Sequence, residues 1–284
     1  MPMISAELGQ IFAQHGFATR FEWGPAGARA LAADVDVLVI VDVLSFTTAV
    51  EVAVTRGARV YPYHNRDSSA AAFASRIGAT LAVDRPRVSA EAPYSLSPAS
   101  LAAIPSETKL VLPSPNGSAI SVLAAELGRP MLAGCLRNAA AVAFAARARG
   151  EVVGVVASGE RWRDGSLRPA YEDLIGAGAI IQHLPVDGRS PEAQAAVSAF
   201  QAGRDQVQAC VAQCASGREL VALGYEPDVQ IASELDVSHT VPVFRSGAYA
   251  AEAATSKAPG MPPAKTTAAM SIPSSKRPAG CPRG

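Results

Sequence analysis

The chain alternates short, continuous apolar runs with alanine-rich stretches, and this alternation limits the folds open to it. The runs are VDVLVIVDVL (35–44), ARVYPY (58–63), ATLAV (79–83), KLVLP (109–113), RPMLAG (129–134) and EVVGVVAS (151–158). Between them lie TTAVEVAVTRG (47–57), SSAAAFASRIG (68–78), SAISVLAAELG (118–128) and NAAAVAFAARARG (138–150), each ending in a glycine of the kind that closes helices. A strand that is apolar on both faces needs cover on both faces. The pattern therefore predicts a three-layer α/β/α domain with a mostly parallel sheet, spanning residues 1–250. Residues 171–236 read as mainly helical, and VPVFR (241–245) as a last edge strand. From 251 to 284 the chain is rich in Pro, Ser, Lys and Ala without periodicity, which predicts a disordered low-complexity tail.

Composition removes several function classes. Basic and acidic residues balance at 25 each among 284, and aromatics make up 6%. Nothing in that balance draws the chain to nucleic acid or to an anionic membrane. The apolar runs are well short of the roughly 20 residues that a membrane span needs. MPMISAELGQIFAQHG reads as an amphipathic helix rather than a leader. Cys135, Cys210, Cys214 and Cys281 fit no paired zinc spacing. His15, His64, His183 and His239 are scattered, with no metal-binding interval. The expectation is a cytoplasmic protein with reduced thiols.

In an open parallel sheet, ligands bind outside the carboxyl ends of the strands. Here those ends carry Asp42, Ser45 and Thr47; Asp84, Arg85 and Arg87; Ser114, Asn116, Gly117 and Ser118; Arg137 and Asn138; and Ser158, Gly159, Glu160 and Arg161. The turn Pro113–Gly117 has the makings of an anion cradle. Gly117 permits a close backbone approach, Ser118 is placed to cap the next helix, and Ser114 and Asn116 add donors. Asn-Gly is equally an ordinary turn, and the stretch lacks the Gly-Lys-Ser/Thr ending of a nucleotide loop. Asp42 can hold a metal or attack phosphorus, and it can equally cap a helix.

The segment ASGERWRDGSLRPAYEDLIGAGAII (157–181) is the richest. Arg161, Arg163 and Arg168 suit forked contacts with phosphate, sulfonate or carboxylate. Glu172 and Asp173 fall in a first helical turn, where they either complement the helix dipole or bind Mg²⁺ opposite the arginine-held anion. The small residues of LIGAGAII permit close packing on the sheet or on another subunit, and a homodimer contact is an expectation from them.

VIVDVLSFTTAV (39–50), YSLSPASL (94–101), LPSPNGSAI (112–120), AGCLRNAAAVA (133–143), VVASGERWRDGSLRPAYEDLIGAGAII (155–181) and ASELDVSHTVP (232–242), in this order and spacing, resemble the 2-phosphosulfolactate phosphatase (ComB-like) family. The resemblance covers about residues 34–244. It implies an α/β/α phosphomonoester hydrolase that uses Mg²⁺ to release phosphate from 2-phosphosulfolactate, in service of coenzyme M synthesis. The family's polar strand-end positions fall here on Asp42, Asn116, Gly117, Asn138, Glu172 and Asp173. Two motifs depart from the family. Ser45 and Phe46 stand where an Asp-x-Leu-Arg-Ala-Thr motif has Arg and Ala, and Val83-Asp84-Arg85-Pro86-Arg87 stands for a Gly-Glu-Arg-x-Gly run. The first departure removes an anion partner, and Arg161, Arg163 or Arg168 is expected to replace it.

Together these readings predict a Mg²⁺-dependent phosphatase acting on a small phosphorylated organic acid. Asp42, Glu160 and Asp173 are its catalytic groups, and Asp42, Glu172 and Asp173 its metal ligands. Ser114, Asn116, Gly117, Ser118, Asn138, Ser158, Gly159, Arg161 and Arg168 bind substrate. A binding protein for small organic anions on the same scaffold is the alternative, and a transferase using the Cys135 thiol is a third reading.

Overall fold

A computed structural model describes residues 8–65 and 67–252. The predicted tail therefore lies outside the described residues, apart from its first two positions. The strands of the main sheet are β1 (Thr19–Trp23), β2 (Val37–Val41), β3 (Arg59–Tyr63), β4 (Thr80–Leu81), β5 (Lys109–Pro113), β6 (Met131–Gly134), β7 (Val153–Ala157), β10 (Pro242–Arg245) and β11 (Ala248–Ala251), while β8 (Glu160–Arg161) and β9 (Leu167–Arg168) form a separate ribbon. The helices that matter below are α1 (Gly24–Ala32), α2 (Phe46–Thr55), α3 (Ser68–Ile77), α4 (Pro98–Leu101), α5 (Gly117–Glu126), α6 (Ala139–Arg147), α7 (Tyr171–Ile181), α8 (Pro191–Gly203), α9 (Val207–Gln213), α10 (Ala215–Ala222) and α11 (Glu226–Ala232).

Strand β2 shows why three layers form. All five residues of its VLVIV are buried. Val37, Val39 and Val41 enter one apolar cluster with residues of α6, α7 and α8. Leu38 and Ile40 point the other way, into a cluster with α1, α2 and α5. A strand side chain alternates faces, so a run apolar at every position must be sandwiched. Full burial of each such side chain contributes about 1.5–3 kcal/mol.

The sheet order is β1-β7-β2-β6-β10-β11-β3-β5-β4. Pairing is parallel at β1–β7, β7–β2, β2–β6, β3–β5 and β5–β4, and antiparallel around the β10–β11 hairpin. The expected mostly parallel, helix-covered sheet is what forms. One strand differs from expectation: VPVFR is not at an edge. It lies in the middle of the sheet, between β6 and β11. Ser246 and Gly247, both at positive φ, make the tight turn that sends the chain back as β11. Tyr249 of β11 is fully buried, its ring edge-on to Phe46 and its hydroxyl 2.8 Å from that of Ser121. β1 gave no apolar run because Thr19 and Arg20 are polar yet buried; Arg20 donates to the Ala13 and Phe17 carbonyls and pairs with Asp34.

The hairpin also decides where the strand ends meet. Neighbouring strands twist by about 20–25°, and this accumulates over the five steps from β2 to β5. Across these steps the loop after β5 still reaches the loop after β2: the Gly117 N–H donates to Asp42 Oδ2 at 2.8 Å.

Candidate active site

Asp42, at the end of β2, is buried and locked. Its Oδ1 accepts from Phe46 N at 3.0 Å, and its Oδ2 from Gly117 N. Thr47 ties the same loop, donating its hydroxyl to the Asp42 carbonyl and accepting the Asp42 N–H. A Cβ at Gly117 would lie 2.7 Å from Asp42 Oδ2 and 2.5 Å from Phe46. Only glycine allows this approach. The cradle expected at 113–117 thus grips a carboxylate of the protein itself. Ser118 is buried inside α5 and donates to the Leu112 carbonyl at 2.8 Å, so it is not the cap; Asn116 holds that position. Ser114 Oγ accepts from Asn116 N.

Asp173, in the first turn of α7, is a second buried clamp. Its Oδ1 accepts from Val43 N at 2.7 Å and its Oδ2 from Gly159 N at 2.8 Å, joining the loops after β2 and β7. Gly159 has φ +63, and a Cβ there would meet Leu167 and the Arg168 carbonyl. Glu172 beside it is buried, and its Oε2 has no hydrogen-bond partner among the described residues; Ser158 Oγ is in the same state. Glu160 Oε2 accepts from Asn116 Nδ2 at 2.9 Å.

These four carboxyls act on one another. Burial pushes Asp42 up to about 6, against the N–H bonds of Phe46 and Gly117, and the Glu172 charge adds to the rise. Glu160 is pushed up to about 7, first by burial and then by Asp42, with the Asn116 bond opposing. Asp173 is raised by burial and by Asp42 and Glu172. Among the described residues no three His, Cys, Asp or Glu side chains form a ready-made metal cage. The donor set nonetheless fits a hard divalent cation. Negative charge is in excess, the four carboxyls supply hard oxygen donors, and one of these oxygens is orphaned in a buried position. Mg²⁺ needs just one or two protein carboxylates beside substrate and water.

The arginines divide. Arg168 lowers the Glu160 carboxyl by its charge, lies 5.8 Å over the Trp162 ring and donates to Ser216 Oγ. Arg161 is exposed and donates to the carbonyls of Gly165 and Pro115, tying the β8–β9 ribbon to the 113–117 turn. Arg163 is exposed. None of them stands against Ser45. That place is taken by Arg85, whose Nη2 donates to Ser45 Oγ at 2.9 Å. Arg85 was visible as a strand-end residue after β4. Its buried partner Asp228 arrives from α11 and carried no sequence signal.

Three of the predicted features find their partners within the chain. Asn138 is fully buried and its amide is used on the backbone: Oδ1 accepts from Cys135 N, and Nδ2 donates to the Thr240 and Ala133 carbonyls. It shapes the turn after β6. Cys135 is buried, and its thiol is pushed up to about 12 by burial and the Glu51 charge, which disfavours the thiolate a nucleophile needs. The small residues of α7 are used within the chain: Gly178 lies against the α8 backbone at Ala196 and Gly176 against Val41 and Val43. No helix among the described residues is long and apolar enough to cross a membrane.

A curated 2-phosphosulfolactate phosphatase from Methanothermobacter thermautotrophicus strain Delta H is 36% identical over 139 residues, 49% of this chain. The match takes in 57% of that relative's length, little more than half. The sequence profile of the 2-phosphosulpholactate phosphatase family matches residues 28–247, which include Asp42, Glu160, Glu172 and Asp173. The chain belongs to the 2-phosphosulpholactate phosphatase family.

Proposed function

We propose that the protein is a Mg²⁺-dependent phosphatase that hydrolyses 2-phosphosulfolactate, or a small phosphorylated organic acid close to it, to the alcohol and phosphate. The observation that carries this reading is the group Asp42, Glu160, Glu172 and Asp173, with Asp42, Glu160 and Asp173 raised and the buried Glu172 Oε2 orphaned. Asp42, Glu172 and Asp173 hold the cation. When bound, it neutralises the phosphoryl charge and increases the acidity of a water.

The protein's own groups then divide the work. Arg168 provides a cationic partner for the phosphate oxygens. Glu160, pushed up to about 7, exchanges a proton near neutral pH. It accepts the proton of the attacking water as that oxygen bonds to phosphorus. The ester P–O bond breaks, and the proton passes to the leaving alkoxide. The backbone clamps on Asp42 and Asp173 fix these groups before substrate arrives, so positioning supplies much of the rate.

Phosphate release from 2-phosphosulfolactate, phospholactate and simple alkyl phosphates, each with Mg²⁺ or a chelator, tests the proposal. Metal-dependent release is expected, with kcat lowered about 10²- to 10⁴-fold in Glu160→Gln. Release that is unaffected by chelator removes the cation. Binding of the phosphorylated acid with no release from any ester removes the phosphatase and leaves an anion-binding protein.

A further inference from the structure

Arg85 opens the short turn Arg85–Arg87 after β4. Its Nε donates to Asp228 Oδ2 at 3.1 Å, and its Nη2 to Ser45 Oγ at 2.9 Å and to the Leu96 carbonyl at 3.3 Å. The guanidinium lies 5.3 Å over the Tyr225 ring. Asp228 is itself fully buried, accepting the Ser97 hydroxyl and the Ala99 N–H. Three separated parts of the chain, the loop after β2, the 96–99 segment and α11, therefore hold one arginine in one orientation. A guanidinium held this way is a preorganised anion donor. Nη1 has no hydrogen-bond partner among the described residues.

Arg85 and Arg87 line a cavity of about 340 Å³, together with Leu96, Pro113 and Ser68. The lining residue Pro113 and Ser45, the partner of Arg85, belong to the loops that hold Asp42. Pro113 starts the turn that ends in Gly117, and Ser45 directs its N–H toward the Asp42 carboxylate. The acidic residues at the rim are occupied: Asp67 accepts the Ser69 N–H and hydroxyl at the start of α3, and Asp84 has a partner. The volume suits a small polar group.

We propose that this cavity receives the second acid group of the substrate, a sulfonate or carboxylate close to the phosphoester, with Arg85 and Arg87 as its anchors and Asp228 as the positioning residue. The inference rests on the phosphatase reading for the identity of the ester. It does not need that reading for the anion subsite itself.

The test compares phospholactate with isopropyl phosphate, which differ only in carboxylate against methyl, and adds equilibrium binding of sulfoacetate. In Arg85→Met, the KM for phospholactate is expected to rise about 10- to 100-fold, as loss of a charge-assisted hydrogen bond allows, while isopropyl phosphate keeps its kinetics. Sulfoacetate binding weakens by a similar factor. Asp228→Asn raises the phospholactate KM without lowering kcat. Arg87→Met, at an exposed residue outside the Asp228 pair, gives the same selective loss in a variant whose folding does not depend on that pair. Turnover with equal effects on both esters overturns the subsite and leaves the phosphatase standing. No turnover of any ester, with sulfoacetate binding lost in Arg85→Met, overturns the phosphatase and leaves the subsite. Sulfoacetate affinity that is absent, or unchanged in both variants, overturns the subsite outright.

Discussion

Replacing Glu160 by glutamine in chelator-treated protein changes how stability depends on pH, and the size of the change follows from the site. Glu160 is raised from 4.5 to about 7, first by burial and then by the Asp42 charge. A carboxyl raised on folding contributes stability that is fully present below its unfolded pKa and is lost as pH rises through its folded value. At about 1.4 kcal/mol per pH unit, the loss between pH 4.5 and 7 comes to about 3 kcal/mol. For a domain of this size that is roughly 6–12 °C in Tm. Glutamine keeps the shape and accepts no proton, so Glu160's share of the slope disappears, while the raised Asp42 and Asp173 keep theirs in both proteins. Thermal melts at half-unit steps from pH 5 to 8 are the assay. The wild type and Glu160→Gln should agree at pH 5, and by pH 8 the variant should melt higher by up to that amount. The carboxyls held below their usual range, Asp34, Asp67, Glu91 and Asp164, lose their contribution only at lower pH and do not enter this window. Parallel curves for the two proteins would refute the claim that Glu160 ionises against its neighbours.

Three further outcomes are expected. Mg²⁺ should raise the Tm of the wild type more at pH 8 than at pH 5.5, and Glu172→Gln should lose most of that gain; an equal gain in both proteins would place the cation elsewhere. Gly117→Ala should destabilise the fold by about 1–3 kcal/mol in chemical denaturation, because its Cβ would press on Phe46 and Asp42, and it should lower turnover by moving Asp42. Cys135→Ala should keep its turnover, since the thiol is buried and pushed up to about 12, and a collapse of kcat in a folded variant would restore the thiol reading.

The sequence by itself determined the layers. Apolar runs such as VLVIV are buried on both faces wherever they fall, and the hydrophobic effect asks only for cover, which the alanine-rich helices provide. It also determined that polar residues gather after the strands, because side chains there need not enter the core. What it left open was which of them meet. Gly117 and Asp42 are 75 residues apart, Val43 and Asp173 are 130, and Arg85 and Asp228 are 143. These pairings depend on the order of the strands in the sheet and on where α7 and α11 dock. Neither leaves a periodicity in the chain. The N–H groups of the 113–117 turn were legible as donors, yet only the tertiary structure decided that Gly117 spends its own on Asp42. Arg85 shows the same division. Its position after β4 marked it as polar and near a strand end, and its partners, brought from three distant segments, made it a fixed cation beside Ser45. Chemistry of this kind depends on distances of about 3 Å between groups far apart in sequence, and only the folded chain sets those distances.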